Sequence, residues 1–365
     1  MLKRNEKIDL IKGIGIILMV MGHAGFPATH FIYLFHMAIF FIASGYCYKE
    51  QNSSSIKEVK AYVLRKMKNL WIPYVIWTSI YTLLHNLFLK LNIYSNDPLL
   101  LKYNPTNHLI YPLSKMEILK NIVKALFLHG GTQMGGAFWF IAVLIEISII
   151  YCLFDYFIGK FLKKFNKDFI QCTISFVLLL IGYVLSIKKV ELFGLDKVFS
   201  YYSLFYIGIV LKKFNKDKSY NLRFILFNFL ILLIGNQLGS IALNENSYCN
   251  PIFLLTMSLA GWFFLYECSQ LLMENNYLKK FICVVGKHTL SIVVFHFLIF
   301  KFINYFIVKK YKLPLCLIAS YPILFSNRFW WIVYSLLGVS VPVLLSLTWS
   351  NLKDGIKNKV RCYFN

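Results

Sequence analysis

The chain has 365 residues; 58% are hydrophobic, 15% are charged, and 39 Lys and Arg against 16 Asp and Glu leave a formal net charge of +23. A soluble domain is about a quarter charged and just under half apolar, so this chain has too few polar residues to cover a water-facing surface. That excludes a soluble enzyme of ordinary make-up, a disordered chain and a nucleic-acid binder carrying its cations on a polar surface. A bilayer accounts for both figures, because membrane proteins gather Lys and Arg in their cytoplasmic loops.

A membrane-crossing helix needs roughly 17–25 mostly apolar residues. Ten candidates follow one another, at about 8–26, 31–48, 70–90, 137–158, 169–187, 199–211, 222–241, 251–272, 284–307 and 329–350. The predicted fold is an all-α integral membrane protein, a polytopic bundle of about ten transmembrane helices. Ten crossings put both termini on one side. With a cytoplasmic start, basic residues in the cytoplasmic segments outnumber those outside by roughly two to one. Both termini are therefore expected in the cytoplasm. A basic start before an apolar run resembles a signal peptide, but no small-x-small cleavage site interrupts it, so the run is read as an uncleaved first span. One membrane domain is expected over 1–350, with a short basic cytoplasmic tail at 351–365.

The first span, IDLIKGIGIILMVMGHAG, is the richest in polar groups. Lys12 and His23 are eleven residues apart, which is 20° beyond three full turns, so they share a helix face about 16 Å apart along the axis. Asp9 lies on nearly the same face. The simpler reading has Lys12 snorkelling to the headgroups and pairing with Asp9, while His23 bonds a neighbouring helix. The functional reading starts from the cost of an ionisable group in the bilayer and from the suitability of His for proton transfer near neutral pH.

The second span carries His36, expected at the same outer depth as His23; two imidazoles at one level suggest a polar pocket, and the simpler reading makes His36 structural, for instance orienting His23. After it, VLRKMKNLWIPY places Arg65, Lys66 and Lys68 just inside the cytoplasmic face. These form either an ordinary positive-inside cluster or a phosphate site. The outer segment 91–136 contains Pro98, Pro105 and Pro112, and its part 117–129 has apolar residues at helical spacing that predict a helix along the interface. Glu146 lies inside the fourth span, expected to face the bundle interior as a structural partner or a catalytic acid. His296 and Lys301, five residues apart in the ninth span, are further candidates for a cavity wall. The eight cysteines form no C-x-x-C. Cys249 and Cys316 both fall in outward segments, where pairing is an alternative to free thiols. The His spacing matches no metal motif, and no metal is expected.

Taken together, these segments resemble the membrane-bound acyltransferase-3 family, especially its fucose 4-O-acetylase-like branch. The match rests on IDLIKGIGIILMVMGHAG followed by FHMAIFFIASGY. Family members carry a basic residue, ten intervening residues and a His in the first span, here Lys12 and His23. An Arg-containing stretch ending in Pro-Tyr corresponds to Arg65 through Pro73 and Tyr74. A Trp-Phe motif corresponds to Phe138, Trp139 and Phe140, and YYSLFYIGIVLKK and GKHTLSIVVFH are weaker matches. Two positions depart from the family: Lys12 stands where Arg is commoner, and Arg-x-x-Arg reads Arg65-x-x-Lys68. A Lys is a point charge rather than a fork, which alters the geometry of phosphate binding.

The resemblance implies transfer of an acyl group, usually acetyl, from cytoplasmic acyl-CoA to a sugar hydroxyl of a bacterial envelope glycan or its lipid-linked precursor. The expected place is the bacterial cytoplasmic membrane, as a multi-pass protein. Acetyl-CoA or another acyl-CoA is the expected donor, held by Lys12, Arg65 and Lys68. His23 is the expected base or acyl carrier, with His36 and Glu146 as further catalytic candidates. The lipid bilayer is a partner, nucleic acid is not, and homo-oligomerisation is left open. A transporter or flippase for a lipid-linked sugar or small solute is the competing class. Such proteins tend to show repeated halves with broken helices at matching positions, and the sequence shows no such symmetry.

Overall fold

The computed structural model describes residues 5–162, 164–214, 220–325 and 329–364, with side chains described up to residue 352. Lys3, Arg4, Lys163, Lys216, Lys218 and Arg328, which enter the charge asymmetry above, lie outside the described residues, as do the side chains of the basic tail.

The described chain is mostly helical, with almost no sheet. In order, the helices are α1 (Glu6–His23), α2 (Thr29–Tyr33), α3 (Ala38–Tyr46), α4 (Ile56–Lys66), α5 (Ile72–Leu83), α6 (His85–Lys90), α7 (Leu99–Tyr103), α8 (Lys115–Leu126), α9 (Trp139–Phe161), α10 (Lys167–Ile187), α11 (Leu195–Phe214), α12 (Leu222–Leu238), α13 (Pro251–Leu272), α14 (Asn276–Lys287), α15 (Thr289–Tyr311) and α16 (Trp330–Phe364). A two-stranded antiparallel hairpin, β1 (Ile241–Ala242) and β2 (Ser247–Tyr248), joins α12 to α13.

Among the described residues, six segments are long and apolar enough to cross a membrane: Thr29–Tyr46, Trp139–Phe161, Lys167–Ile187, Pro251–Leu272, Thr289–Tyr311 and Trp330–Leu352. The protein is therefore a multi-pass membrane protein. The other four expected spans are also helical, but each departs from a plain apolar span for a visible reason. α1 carries Glu6, Lys7, Asp9 and Lys12, and α11 carries Asp196, Lys197, Lys212 and Lys213. α12 has 17 residues, and α5 has 12 after a π-helical turn at Met67–Trp71. The helix with the most conspicuous polar pattern is thus one that hydropathy passes over.

α1 is the hub, packed against α2, α3, α13, α14, α15 and α16. Asn5 caps its start by accepting from the Ile8 amide at 3.3 Å, satisfying one of the free first-turn N–H groups. Its end is set by Gly25, at φ +75°, with the Phe26 amide donating back to the Met21 carbonyl at 3.2 Å. That left-handed stop is cheap for glycine, and it leaves His23 on the last turn. α1 meets α14 at unusually close range: a Cβ on Gly13 would overlap the Ile282 carbonyl, and one on Gly286 would overlap the Asp9 carbonyl. Replacing either glycine would push α1 off its neighbour.

The second span is broken. Between α2 and α3, Leu34–Met37 leave the regular helix without any Gly or Pro, and His36 sits in the break. α8 packs beside α5. The Asn86 amide donates to the Leu113 carbonyl at 2.7 Å, Asn121 to the Thr82 hydroxyl at 2.7 Å, and Trp71 to the Leu126 carbonyl at 3.0 Å. Positions on α8 rise as positions on α5 and α6 fall, so α8 lies lengthwise and antiparallel against α5. The helix expected over 117–129 is therefore present, and one of its surfaces faces α5.

Candidate functional site

Two cavities are strung along one face of α1. Lys12, Ile16, Met19 and His23 follow one another at helical spacing; the first two line one cavity and the last two line the other. The broken span and α9 repeat the pattern. Phe40, Ala43, Ser44 and Cys47 line the first cavity, and Tyr33, His36 and Met37 line the second. On α9, Phe140 and Leu144 face the first and Trp139 the second.

The first cavity, of about 230 Å³, is an apolar chamber with two amines in its wall. Lys12 pairs with Asp9 at 3.5 Å and still lines the chamber, so the simpler reading of that pair and the cavity role coexist. The second amine is Lys66, at the end of α4 and outside the apolar crossings. It donates to the Ser44 hydroxyl at 3.3 Å. Burial, followed by repulsion from Lys12 and Arg65, outweighs the opposing pull of Cys47 and lowers the Lys66 ammonium to about 8. Two cations on an apolar chamber suit an anion with an apolar or amide-rich tail. Phe40 and Phe140, with ring centroids 5.4 Å apart, also line this chamber. Met37, three residues before Phe40, and Trp139, next to Phe140, belong to the second cavity, so the pair marks the border between the two.

The second cavity, of about 310 Å³, gathers imidazoles and phenols. The His23 ring stacks on His296 at 5.6 Å between centroids and lies 4.9 Å from Phe297. Tyr33 stacks on His36 at 5.0 Å and lies edge-on to His23 at 6.5 Å. The Nδ1 atoms of His36 and His296 meet the carbonyls of Ile32 and Ile292 at 3.0 and 2.8 Å. Because a carbonyl only accepts, both Nδ1 atoms donate, and a neutral ring then keeps its lone pair on Nε2. His23 carries no such tie among the described residues, which leaves its ring free to exchange a proton with a ligand.

Tyr321 lines the same cavity from the far end of the chain. Its segment is clamped from below: the buried Lys301 amine donates to the Ala319 and Ser320 carbonyls at 2.7 Å each, and the Tyr321 amide donates to Asn107 at 2.8 Å. Gly136 is required where the Tyr321 hydroxyl approaches, since a Cβ there would overlap it.

A family model described as an acyltransferase domain matches residues 5–347, nearly the whole chain. The chain belongs to the acyltransferase-3 family. No curated protein and no solved structure matches it. With the apolar helices, membership makes the protein a multi-pass membrane acyltransferase.

The acyltransferase brings some of the sequence-named residues together and leaves others apart. Lys12 lines the first cavity, and His23 and His36 share the second. Arg65 and Lys68 are exposed and line neither; the Arg65 guanidinium donates to Asn52 at 2.7 Å and lies 5.8 Å from the Tyr62 ring. Lys66, between them, is the cation that enters. Glu146 is half-buried beside Gly194, away from both cavities. His296 reaches the site, whereas Lys301 supports it from behind. Tyr33, Trp139, Tyr321 and the hairpin were not singled out for a site by sequence reasoning. Tyr33 had a local signal, one turn before His36; Tyr321 and the hairpin arrive only through the tertiary fold.

Proposed function

We propose that the protein is an O-acyltransferase of the fucose 4-O-acetylase-like branch. It moves an acyl group, acetyl in the simplest case, from cytoplasmic acyl-CoA to a sugar hydroxyl of a bacterial envelope glycan or its lipid-linked precursor, across the cytoplasmic membrane. One observation carries this reading: a cationic cavity and a histidine cavity lie end to end on one face of α1. An anionic donor and a hydroxyl acceptor need opposite chemistry, and the chain supplies both within one helix length. Both termini lie in the cytoplasm in this reading, so the Lys12 cavity faces the donor and the His23 cavity faces the acceptor.

Lys12 and Lys66 hold the phosphates of acyl-CoA, and Arg65 and Lys68 add to the field at the entrance. The pantetheine arm runs along α1 past Phe40 and Phe140, bringing the thioester to His23. His23 removes the proton of the sugar hydroxyl as its oxygen bonds to the acyl carbon. The C–S bond then breaks, and the departing thiolate recovers that proton from His23, leaving an ester and free CoA. The only N–H of neutral His36 is committed to Ile32, so the donors for the tetrahedral oxyanion are the phenols of Tyr33 and Tyr321. A transient acyl-His23 is the alternative order of the same bonds.

The test is transfer from labelled acetyl-CoA by detergent-purified protein, with rapid quench in the absence of acceptor. Acyl transfer that disappears in a folded His23→Ala variant supports the reading. Undiminished transfer in that variant contradicts it. Envelope-glycan NMR with and without the protein names the acyl group and acceptor together, through the O-acyl signal lost on deletion.

A further inference from the structure

We propose that the turn of the β1–β2 hairpin, through Asn244 and Glu245, forms the acceptor-recognition subsite of the second cavity, and that this subsite takes a single uncharged sugar residue. The proposal rests on the acyltransferase reading above and specifies its acceptor.

The hairpin is held in place by its own apolar and aromatic side chains. Ile241, Leu243 and Tyr248 are buried. The Tyr201 hydroxyl donates to the Leu243 carbonyl at 2.7 Å, the Tyr248 and Ser200 hydroxyls lie 3.0 Å apart, and the Tyr183 hydroxyl donates to the Cys249 carbonyl at 3.1 Å. Asn246 closes the turn in the left-handed region, at φ +50°. With its neighbours anchored, the turn presents Asn244 and Glu245 as exposed side chains on the wall of the cavity that holds His23. The Asn244 amide and the Glu245 carboxylate are 3.5 Å apart.

Three features specify the ligand. First, an amide beside a carboxylate offers donors and acceptors at the spacing of neighbouring sugar hydroxyls, which themselves both donate and accept. Trp139, on the same cavity wall, supplies an aromatic face for the C–H face of a pyranose. Second, about 310 Å³ lies at the small end of ligand pockets, which run from about 300 to 1,000 Å³. That holds one sugar ring at the reacting end and leaves any remaining glycan outside. Third, the charge is of one sign. Glu245 is acidic, and no Lys or Arg is among the described residues lining this cavity. Lys301 lies behind Tyr321 with its amine committed to two carbonyls. A uronic acid or a phosphorylated sugar therefore meets repulsion with no counter-ion, whereas a neutral sugar meets hydrogen-bond partners.

The test uses detergent-purified full-length protein, acetyl-CoA, and a panel of methyl hexopyranosides with the methyl hexuronides of matching configuration. Acetyl-CoA binding is measured first by calorimetry without acceptor, then transfer is followed by free-thiol release. The expected result is transfer to a neutral member, with the matching uronide at least about tenfold lower in kcat/KM. Glu245→Gln should raise the acceptor KM about tenfold, the scale of losing a charge-assisted hydrogen bond, with kcat and acetyl-CoA affinity within about twofold of the parent. Asn244→Ala, a milder change on the exposed turn, should raise the same KM severalfold. Glu245→Lys should narrow or reverse the discrimination against the uronide. Preference for a uronide by the parent, an unchanged acceptor KM in both Glu245→Gln and Asn244→Ala, or acetyl-CoA binding without transfer to any neutral member would overturn the proposal. Failure to bind acetyl-CoA at all overturns the acyltransferase reading itself, and it appears in the first step, before any sugar is added.

Discussion

The two cavities differ in charge although they share helices. The first has two amines in a mostly apolar wall; the second has three aromatic side chains, histidines and one carboxylate. α1 makes this possible because a straight helix repeats a face every three or four residues, so one stripe serves both ends. In the proposed reading, a small number of charges on a central helix divide the enzyme into a donor half and an acceptor half. The border between the halves is aromatic, at Phe40 and Phe140.

Breaking the acceptor half should cost most. His23→Ala is expected to lower the transfer rate by about 10²–10⁴-fold, the usual share of a positioned base, while acetyl-CoA affinity stays within twofold. Stopped-flow transfer and equilibrium donor binding on the same preparation check both parts. Tyr321→Phe removes only a phenolic hydroxyl, and the expected loss is about 10²-fold in kcat if that hydroxyl serves the oxyanion. An unchanged kcat would return Tyr321 to a purely structural place in the wall.

The donor half should respond in affinity rather than rate. Lys12→Ala and Lys66→Ala are each expected to weaken acetyl-CoA binding about tenfold, with turnover at saturating donor nearly unchanged. Lys68→Ala, outside the cavity, should have a smaller effect and should lose it at high salt. The smallest expected effect is on pH dependence. Lys66 is lowered by burial to about 8, so its amine is charged below that pH and neutral above it. Donor affinity should therefore fall as pH rises through about 8. Lys66→Arg, whose guanidinium stays charged, should flatten that decline.

How far the sequence revealed this site depends on the distance between the residues involved. Lys12 and His23 were visible because both sit on one helix, where spacing alone fixes the shared face. Helical segments in every expected span were visible as long apolar runs, although the second span is interrupted at Leu34–Met37. The sequence reading named Arg65 and Lys68, whereas Lys66 lines the cavity; spacing did not show this because adjacent helical positions point about 100° apart and the π-helical turn at Met67–Trp71 shifts the phase just there. The break at Leu34–Met37 has no Gly or Pro to announce it. His296 meets His23, and Tyr321 lines its cavity, from far along the chain, and no local pattern encodes that. Glu146 stood out as a carboxylate in an apolar run, yet its helix position carries it to Gly194 and away from both cavities.

The division between a donor half and an acceptor half is tested most directly by calorimetry and transfer on two purified variants side by side. His23→Ala should bind acetyl-CoA as the parent does and transfer almost nothing, while the Lys12→Ala, Lys66→Ala double variant should bind acetyl-CoA at least about tenfold more weakly. Parent-like transfer by folded His23→Ala, or parent-like acetyl-CoA affinity in the double variant, would contradict it.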